Sequence, residues 1–254
     1  MRPRSFRIRD GLYLVGSGPV GLTHPLDCNV YLIVRKNQCA LIDSGCGIRA
    51  RQLVGNLHSL GITQLRYIFL THGHADHSMG VPALLRFYQP EAIVLDEEER
   101  TALVTADAHA LGLTRAKRSG TYPPHYELVP YGRDWSWSPA THSFDIGDWM
   151  LTPIPTPGHS SGSVCYLLEG RGFRGLFSGD TVFLGGYISY GNLPGASLEQ
   201  YQRSLDRLLE AAPTELYPGH GLWAVGRVAE YLKRARRGLE RSRLPGMFPR
   251  PVAP

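Results

Sequence analysis

The chain has few of the features that mark secreted or membrane-spanning proteins. Its four cysteines form no CxxC pair, so neither a disulfide framework nor a thiolate zinc site is indicated. No apolar run approaches the length that crosses a bilayer. The basic N-terminus is not followed by the apolar stretch of a secretory signal. We therefore expect a cytoplasmic protein with reduced cysteines and no membrane contact.

Lysine is also scarce, at positions 36, 117 and 233 only, although arginine brings the formal net charge to +5. The densest basic run, 233–237, lies at the end of a predicted helix, where cations complement the helix dipole. We interpret this run as a solvated helix end and expect no nucleic-acid partner. The content of 43% hydrophobic and 19% charged residues is typical of a soluble globular protein.

Histidine, by contrast, is concentrated in one segment, THGHADH at 71–77, directly after the apolar run 67–70. Alternation along an extended segment places His72, His74 and Asp76 on one side, while His77 points elsewhere. One short loop can therefore serve two neighbouring metal ions. Imidazole nitrogen with carboxylate oxygen is the ligand mix of catalytic zinc and related divalent metals.

Further ligand-type residues follow at intervals along the chain. His159, Asp180 and His220 each come after a short apolar or strand-like run and lie beside glycine, where the chain can turn sharply at a strand end. Asp43 follows the apolar pair 41–42 in the same way. Taken together, these motifs resemble those of the metallo-β-lactamase-fold hydrolase superfamily, over residues from about 12 to about 239.

The resemblance implies a centre of two divalent metal ions, zinc by preference, with iron or manganese as alternatives. It assigns the first ion to His72, His74 and His159, the second to Asp76, His77 and His220, and a bridging position to Asp180. Asp76 and Asp180 are then the candidate catalytic carboxylates, and the nucleophile is a hydroxide shared by the ions. Asp43 is expected to hold a ligand imidazole by its other N–H group.

Periodicity and turn signals predict a mixed α/β chain with two successive blocks of strands followed by helices. Strands are predicted at 12–15, 29–34, 40–42, 67–70, 92–95, 150–154, 164–168, 175–177 and 215–217, and helices at 48–60, 80–88, 97–111, 198–211 and 224–239. The resemblance implies a four-layer αβ/βα sandwich. We expect one domain over 1–243, an insertion at 112–149 that covers the site, and a proline-rich tail at 244–254.

The choice among hydrolases depends on the surroundings of Asp180. The motif around Asp180 and the glycine pair 185–186 is similar to that of the glyoxalase II branch, although Tyr187 and its neighbours stand where a basic residue is expected. We predict cleavage of a thioester, ester or lactone in a small-molecule acyl substrate. The candidate pocket residues are Phe183, Tyr187, Tyr190, Tyr126 and Trp135.

Two questions remain open from the sequence. The aromatic segment 122–137 is either a pocket wall, which favours an apolar acyl chain or an aromatic group, or a small aromatic core. The alternative activities are those of a phosphodiesterase similar to ribonuclease Z and of a persulfide dioxygenase with one iron. The expected assembly is a monomer or a homodimer.

Overall fold

The computed structural model describes residues 4–132, 135–191 and 193–240, so the predicted tail at 244–254 lies outside the described residues. The strands are β1 (Phe6–Arg9), β2 (Leu12–Gly16), β3 (Val30–Arg35), β4 (Gln38–Ile42), β5 (Tyr67–Phe69), β6 (Ala92–Leu95), β7 (Trp137–Pro139), β8 (Phe144–Ile146), β9 (Trp149–Pro155), β10 (Val164–Gly170), β11 (Phe173–Gly179), β12 (Glu215–Pro218) and β13 (Ala224–Val225). The helices are α1 (Ala50–Ser59), α2 (Ala75–Ser78), α3 (Val81–Leu84), α4 (Glu97–Thr105), α5 (Leu113–Arg118), α6 (Leu198–Glu210) and α7 (Val228–Glu240), and Leu184–Gly186 forms a 3₁₀ turn.

The strands form two sheets. The first has the order β1-β2-β3-β4-β5-β6-β7, antiparallel as far as β4 and parallel from β4 to β7. The second has the order β13-β12-β11-β10-β9-β8, in which only the β11–β12 pair is parallel. Each sheet therefore combines hairpin-type connections with helical crossovers, which parallel neighbours require.

Alternation of side chains along the strands separates three apolar clusters. In β3, Tyr31 and Ile33 point into the cluster between the two sheets, while Leu32 packs with α1 on the outer face. In β10, Tyr166 faces the same inter-sheet cluster, and Leu167 packs with α6 and α7 on the other outer face. Both sheets are thus covered by helices outside and by each other inside. The predicted four-layer αβ/βα sandwich is confirmed.

Three predicted helices differ from the structure at their ends. The helix predicted at 80–88 spans only Val81–Leu84. The helix predicted at 97–111 ends at Thr105, because Ala106 adopts a left-handed backbone conformation with φ of 50°. The helix predicted to begin at Ala224 begins at Val228 instead. Ala224 and Val225 pair with β12 as an edge strand, a non-local contact that overrides the local helical pattern.

The segment 112–149 is not one continuous cover over the site. Its later part contributes β7 to the edge of the first sheet and β8 to the edge of the second. Its earlier part contains α5 and is fastened to the loops beside it by buried tyrosines. The Tyr126 hydroxyl donates to the carbonyl of Cys46, and the Tyr131 hydroxyl donates to the carbonyl of Ser78. Only this earlier part remains a candidate cover.

Within the described ranges, no helix combines the length and the apolar character that crossing a bilayer requires.

Candidate metal centre

The ligand-type residues of the five motifs lie at one edge of the sandwich. Asp43 follows β4 and the histidine loop follows β5, and these strands are parallel. His159, Asp180 and His220 follow β9, β11 and β12, which run in one direction because β10 is antiparallel to both β9 and β11. Carboxyl ends of parallel-running strands meet at the same edge, so loops from both sheets converge there.

Three imidazoles form the first group of ligand atoms. The Nδ1 atom of His74 lies 3.0 Å from Nε2 of His72 and 3.0 Å from Nε2 of His159. All three side chains are buried. Nitrogen ligands at about 2.0–2.1 Å from a tetrahedral zinc ion would be roughly 3.3 Å apart, so the spacing is close to that of a metal-binding triad.

Asp76, His77 and His220 form the second group. The Nε2 atom of His220 lies 3.1 Å from Oδ2 of Asp76, and the Nε2 atom of His77 lies 3.7 Å from the same oxygen. The ligand atoms of each group lie within 4.8 Å of one another. One short segment therefore contributes to both groups: His72 and His74 precede α2 and belong to the first, while Asp76 and His77 lie on α2, which begins at Ala75, and belong to the second.

Asp180 lies between the two groups. Its Oδ2 atom is 3.6 Å from Nε2 of His159, while its Oδ1 atom is 3.4 Å from Nε2 of His77 and 3.5 Å from Nε2 of His220. Burial opposes ionisation of this carboxyl, but the imidazoles around it, His220 first, hold its pKa well below the ordinary value. The carboxylate therefore presents one oxygen to each group.

Hydrogen bonds at the outer nitrogens orient three of the imidazoles. Nδ1 of His77 donates to Oδ2 of Asp43 at 2.8 Å, and Nδ1 of His159 donates to the Ser189 carbonyl at 2.8 Å. The Thr71 hydroxyl donates to Asp43 and lies 3.1 Å from Nδ1 of His72, from which it can accept. In the neutral tautomer that these bonds select, the Nε2 atom of each ring faces the group and has a lone pair for a metal ion.

The chemistry of this donor set fits two divalent cations. Burial and the neighbouring histidines lower the pKa of His72 well below its ordinary value, so its imidazole is neutral and has a lone pair to share. The carboxylates of Asp76 and Asp180 are likewise buried, and buried anions are costly unless cations compensate them. Neutral imidazoles and carboxylates that converge in this way are suited to zinc and related metals.

The sequence does not indicate two residues, Asn29 and Tyr201, whose side chains hold the ligand loops through backbone carbonyls. The Asn29 side-chain amide donates to the carbonyls of Pro218 and Gly221, at 3.0 and 2.9 Å. These two residues flank His220, so Asn29 fixes the loop on both sides of it. The Tyr201 hydroxyl contacts the carbonyls of Asp180 and Thr181. Asn29 lies just before a strand in the sequence, and nothing local indicates that its partners are 189 and 192 residues away.

The five predicted pocket residues do not come together in one place. Phe183 is buried with its ring centroid 6.4 Å from that of His220, and Tyr187 is 40% exposed nearby, after the 3₁₀ turn. Tyr190 packs against the apolar cluster beneath α6 and α7. Tyr126 packs against Tyr122 with tilted rings whose centroids are 4.6 Å apart.

Trp135 is the predicted pocket residue that the structure places elsewhere. It packs against Tyr131 with tilted rings and lines a separate cavity between α4 and the first sheet, whose described lining contains none of the candidate ligands. The aromatic segment therefore packs largely into the apolar cluster on the outer face of the first sheet, and Tyr122 in that cluster also faces the candidate ligands His74 and Asp76.

A small crevice opens beside the candidate centre. His74 and Asp76 form one wall, and α5 with its neighbouring loops forms the other. The remaining lining is mostly apolar and consists of Ala75, Leu111, Gly112, Leu113, Ala116, Tyr122 and Leu193. The periodicity of the predicted helix 97–111 did not point to this wall, because the helix breaks at Ala106 and a second short helix follows.

Comparison with known proteins agrees with this fold and site. The family model described as "Metallo-beta-lactamase superfamily" matches residues 24–220. The chain is 28% identical over 250 residues to the lactamase-like protein nscB of Trichophyton rubrum. This alignment covers 95% of this chain but only 64% of the relative. It is 30% identical over 209 residues to the acyl-coenzyme A thioesterase MBLAC2 of Gallus gallus, covering 76% of this chain and 72% of that one.

A solved structure of a metallo-beta-lactamase from Cronobacter sakazakii superposes with a TM-score of 0.69, at 19% identity, over 94% of this chain and 93% of that chain. At this identity the likeness concerns the fold alone. The chain belongs to the metallo-beta-lactamase superfamily, and it carries several histidine and aspartate groups able to bind metal ions.

Proposed function

We propose that this protein is a dinuclear metallohydrolase that cleaves an acyl thioester or a related ester or lactone. The first group would hold one ion and the second group the other, with Asp180 shared between them. Two bound divalent cations supply an activated water and polarise the substrate carbonyl. The nitrogen-rich first group suits zinc, and the carboxylate-containing second group suits zinc, iron or manganese.

The position of Asp180 carries the proposal of two ions. Its two carboxylate oxygens face different groups of ligand atoms, at 3.6 Å on one side and at 3.4 and 3.5 Å on the other. A centre with one iron, as in the dioxygenase alternative, needs only one complete ligand group. Two complete groups that share a carboxylate favour the hydrolytic two-metal centre.

The chain's own residues would keep this centre in a fixed geometry. Asp43 and the Ser189 carbonyl each hold the outer nitrogen of one imidazole, which prevents the ring from turning or taking the other tautomer. Asp180 is placed between the groups, with one carboxylate oxygen toward each of them. The donors are therefore preorganised, which is the condition for effective stabilisation of charge during the reaction.

The surroundings of the centre support an acyl substrate. The described lining of the crevice beside His74 and Asp76 contains no lysine or arginine and is formed largely by Leu111, Leu113 and Tyr122. Phosphodiesters and RNA are bound through such cations, whereas an acyl chain needs apolar walls. The named activity of the relative MBLAC2, an acyl-coenzyme A thioesterase, supports a thioester in particular.

A substrate panel tests this proposal. We expect the zinc-loaded protein to hydrolyse acyl thioesters, with aryl esters and lactones as secondary substrates, and to leave an aryl phosphodiester intact at equal concentration. The measurement is kcat/KM for each compound, with the metal content determined on the same sample. Faster cleavage of the phosphodiester would contradict the proposal, as would one bound iron together with oxygen consumption on a persulfide substrate.

A further inference from the structure

Glu99 is a buried carboxylate that touches two of the ligand loops. It lies on α4 and is 6% exposed, whereas Glu97 and Glu98 before it are exposed. Its Oε2 atom accepts the backbone N–H of Gly73 at 3.1 Å. Its Oε1 atom accepts the hydroxyl of Ser160 at 2.6 Å and the backbone N–H of Gly162 at 3.3 Å.

These contacts lie immediately beside the imidazoles of the first group. Gly73 is the residue between His72 and His74, and Ser160 directly follows His159. The loop after β5 belongs to the first sheet, and the loop after β9 belongs to the second. One side chain thus joins the two loops that carry all three nitrogens of the first group.

The packing around Glu99 leaves no room for a side chain at Gly73 or Gly162. A Cβ atom placed on Gly73 would lie 2.6 Å from Oε2 of Glu99, and one placed on Gly162 would lie 2.4 Å from its Cγ. Both glycines are therefore required for the close approach of the carboxylate. Burial raises the pKa of the Glu99 carboxyl, and the three hydrogen bonds that it accepts act against this shift.

We propose that Glu99 is a positioning residue for the first metal ion, an inference that rests on the proposed two-metal centre. By holding Gly73 and Ser160 on one carboxylate, Glu99 fixes the approach of His74 to His159, whose ligand nitrogens are 3.0 Å apart. Its hydrogen bonds within the described part of the chain reach Gly73, Ser160 and Gly162, and none of these residues belongs to the second group. Loss of Glu99 should therefore weaken binding at the first group and spare the second.

Replacement by glutamine makes this role testable without a change of shape. Donors face both oxygens of Glu99, but an amide accepts at one end only and presents N–H groups at the other. In Glu99→Gln, at least one loop therefore loses its acceptor and meets a donor instead. The matched control is Glu98→Gln, an exposed position on the same helix.

The experiment measures zinc affinity at each group separately, by competition with a chromophoric chelator. A His220→Ala background leaves the first group complete, and a His159→Ala background leaves the second. In the first background we expect Glu99→Gln to weaken zinc binding by roughly 10–100-fold, the usual cost of losing a residue that orients a ligand. In the His159→Ala background, Glu99→Gln should leave the zinc affinity unchanged. The control Glu98→Gln should leave the zinc affinity unchanged in both backgrounds.

Thermal unfolding of the metal-free proteins shows whether Glu99 positions the ligands or only stabilises the fold. Equal loss of zinc affinity in both backgrounds, or a lowered unfolding temperature with unchanged affinities, would overturn the inference. If Glu99→Gln does not fold, Ser160→Ala removes one of the three donors and should give a smaller loss confined to the first group, with the exposed Ser161→Ala as control.

The outcomes also separate this inference from the proposed function. Failure of the unsubstituted chain to bind two zinc ions would contradict the two-metal centre itself. Two tightly bound ions in that chain, with no effect of Glu99→Gln in the His220→Ala background, would contradict the positioning role alone.

Discussion

At the scale of single residues, the candidate centre contains two kinds of carboxylate. One kind would bind the metal ions, and the other orients the residues that bind them. Asp180 directs both carboxylate oxygens toward ligand nitrogens. Asp43 is equally buried, but its contacts are with Thr71 and the outer nitrogen of His77. Because one carboxylate faces both groups and the other supports one ring, the two should contribute unequally to activity.

Asp180→Asn should therefore cost far more turnover than Asp43→Asn. The first substitution places an amide N–H group against one of the two ligand groups, while the second weakens only the orientation of His77, at a cost of roughly 10–100-fold. Parallel measurements of kcat and of bound metal would check this. Equal losses of turnover with unchanged metal content in both variants would refute the distinction.

At the scale of secondary-structure elements, the two sheets are joined by aromatic contacts. Phe144 on β8 of the second sheet packs edge-on against Phe69 on β5 of the first, with ring centroids 5.0 Å apart, and against Tyr67 at 5.3 Å. Such contacts hold the inner faces of the two sheets together.

Phe144→Ala should therefore destabilise the fold without altering the centre. We expect the free energy of unfolding to fall by about 3 kcal/mol or more, the usual cost of removing a buried phenylalanine ring. Phe87→Ala is the matched control, because Phe87 is 49% exposed and should change stability by no more than about 0.5 kcal/mol. Urea unfolding of the metal-free proteins measures both, and similar values for the two variants would show that the inter-sheet contact contributes little.

The wall of the crevice is the element in which substrate preference should lie. Leu113, at the start of α5, is buried beside the candidate centre. Leu113→Ala should extend the preferred acyl chain, with a gain of about 1 kcal/mol, or roughly fivefold in relative kcat/KM, for each further methylene that becomes enclosed.

The control for this variant is Leu198→Ala, at an exposed position at the start of α6 outside the crevice lining. Rates across a series of acyl chain lengths provide the measurement. An unchanged chain-length profile in Leu113→Ala would remove α5 from the account of the substrate site.

The elements also show which strands the sequence predicts and why it does not predict the others. Strands such as β6 and β10 were found because apolar runs between turn signals report burial directly. The edge strands β1, β7, β8 and β13 have two to four residues each and depend on partners that the local pattern does not reveal. The ligand candidates were recognisable because their motifs resemble those of the superfamily, whereas Glu99 is one of three consecutive glutamates. Only its position four residues before Leu103, on the buried face of α4, set it apart.

At the scale of the whole molecule, each ligand group draws on both sheets. In the first group, His72 and His74 come from the first sheet and His159 from the second; in the second group, His220 likewise joins residues of the histidine loop. A two-metal centre would therefore depend on the complete sandwich and would assemble only when its two halves are packed together.

Titration of zinc into the metal-free protein, followed by hydrolysis of an acyl thioester, tests this account most directly. With two complete ligand groups that share Asp180, we expect full activity to require two equivalents of zinc per chain. Maximal thioester hydrolysis at one equivalent, with no further gain at the second, would contradict a two-metal centre.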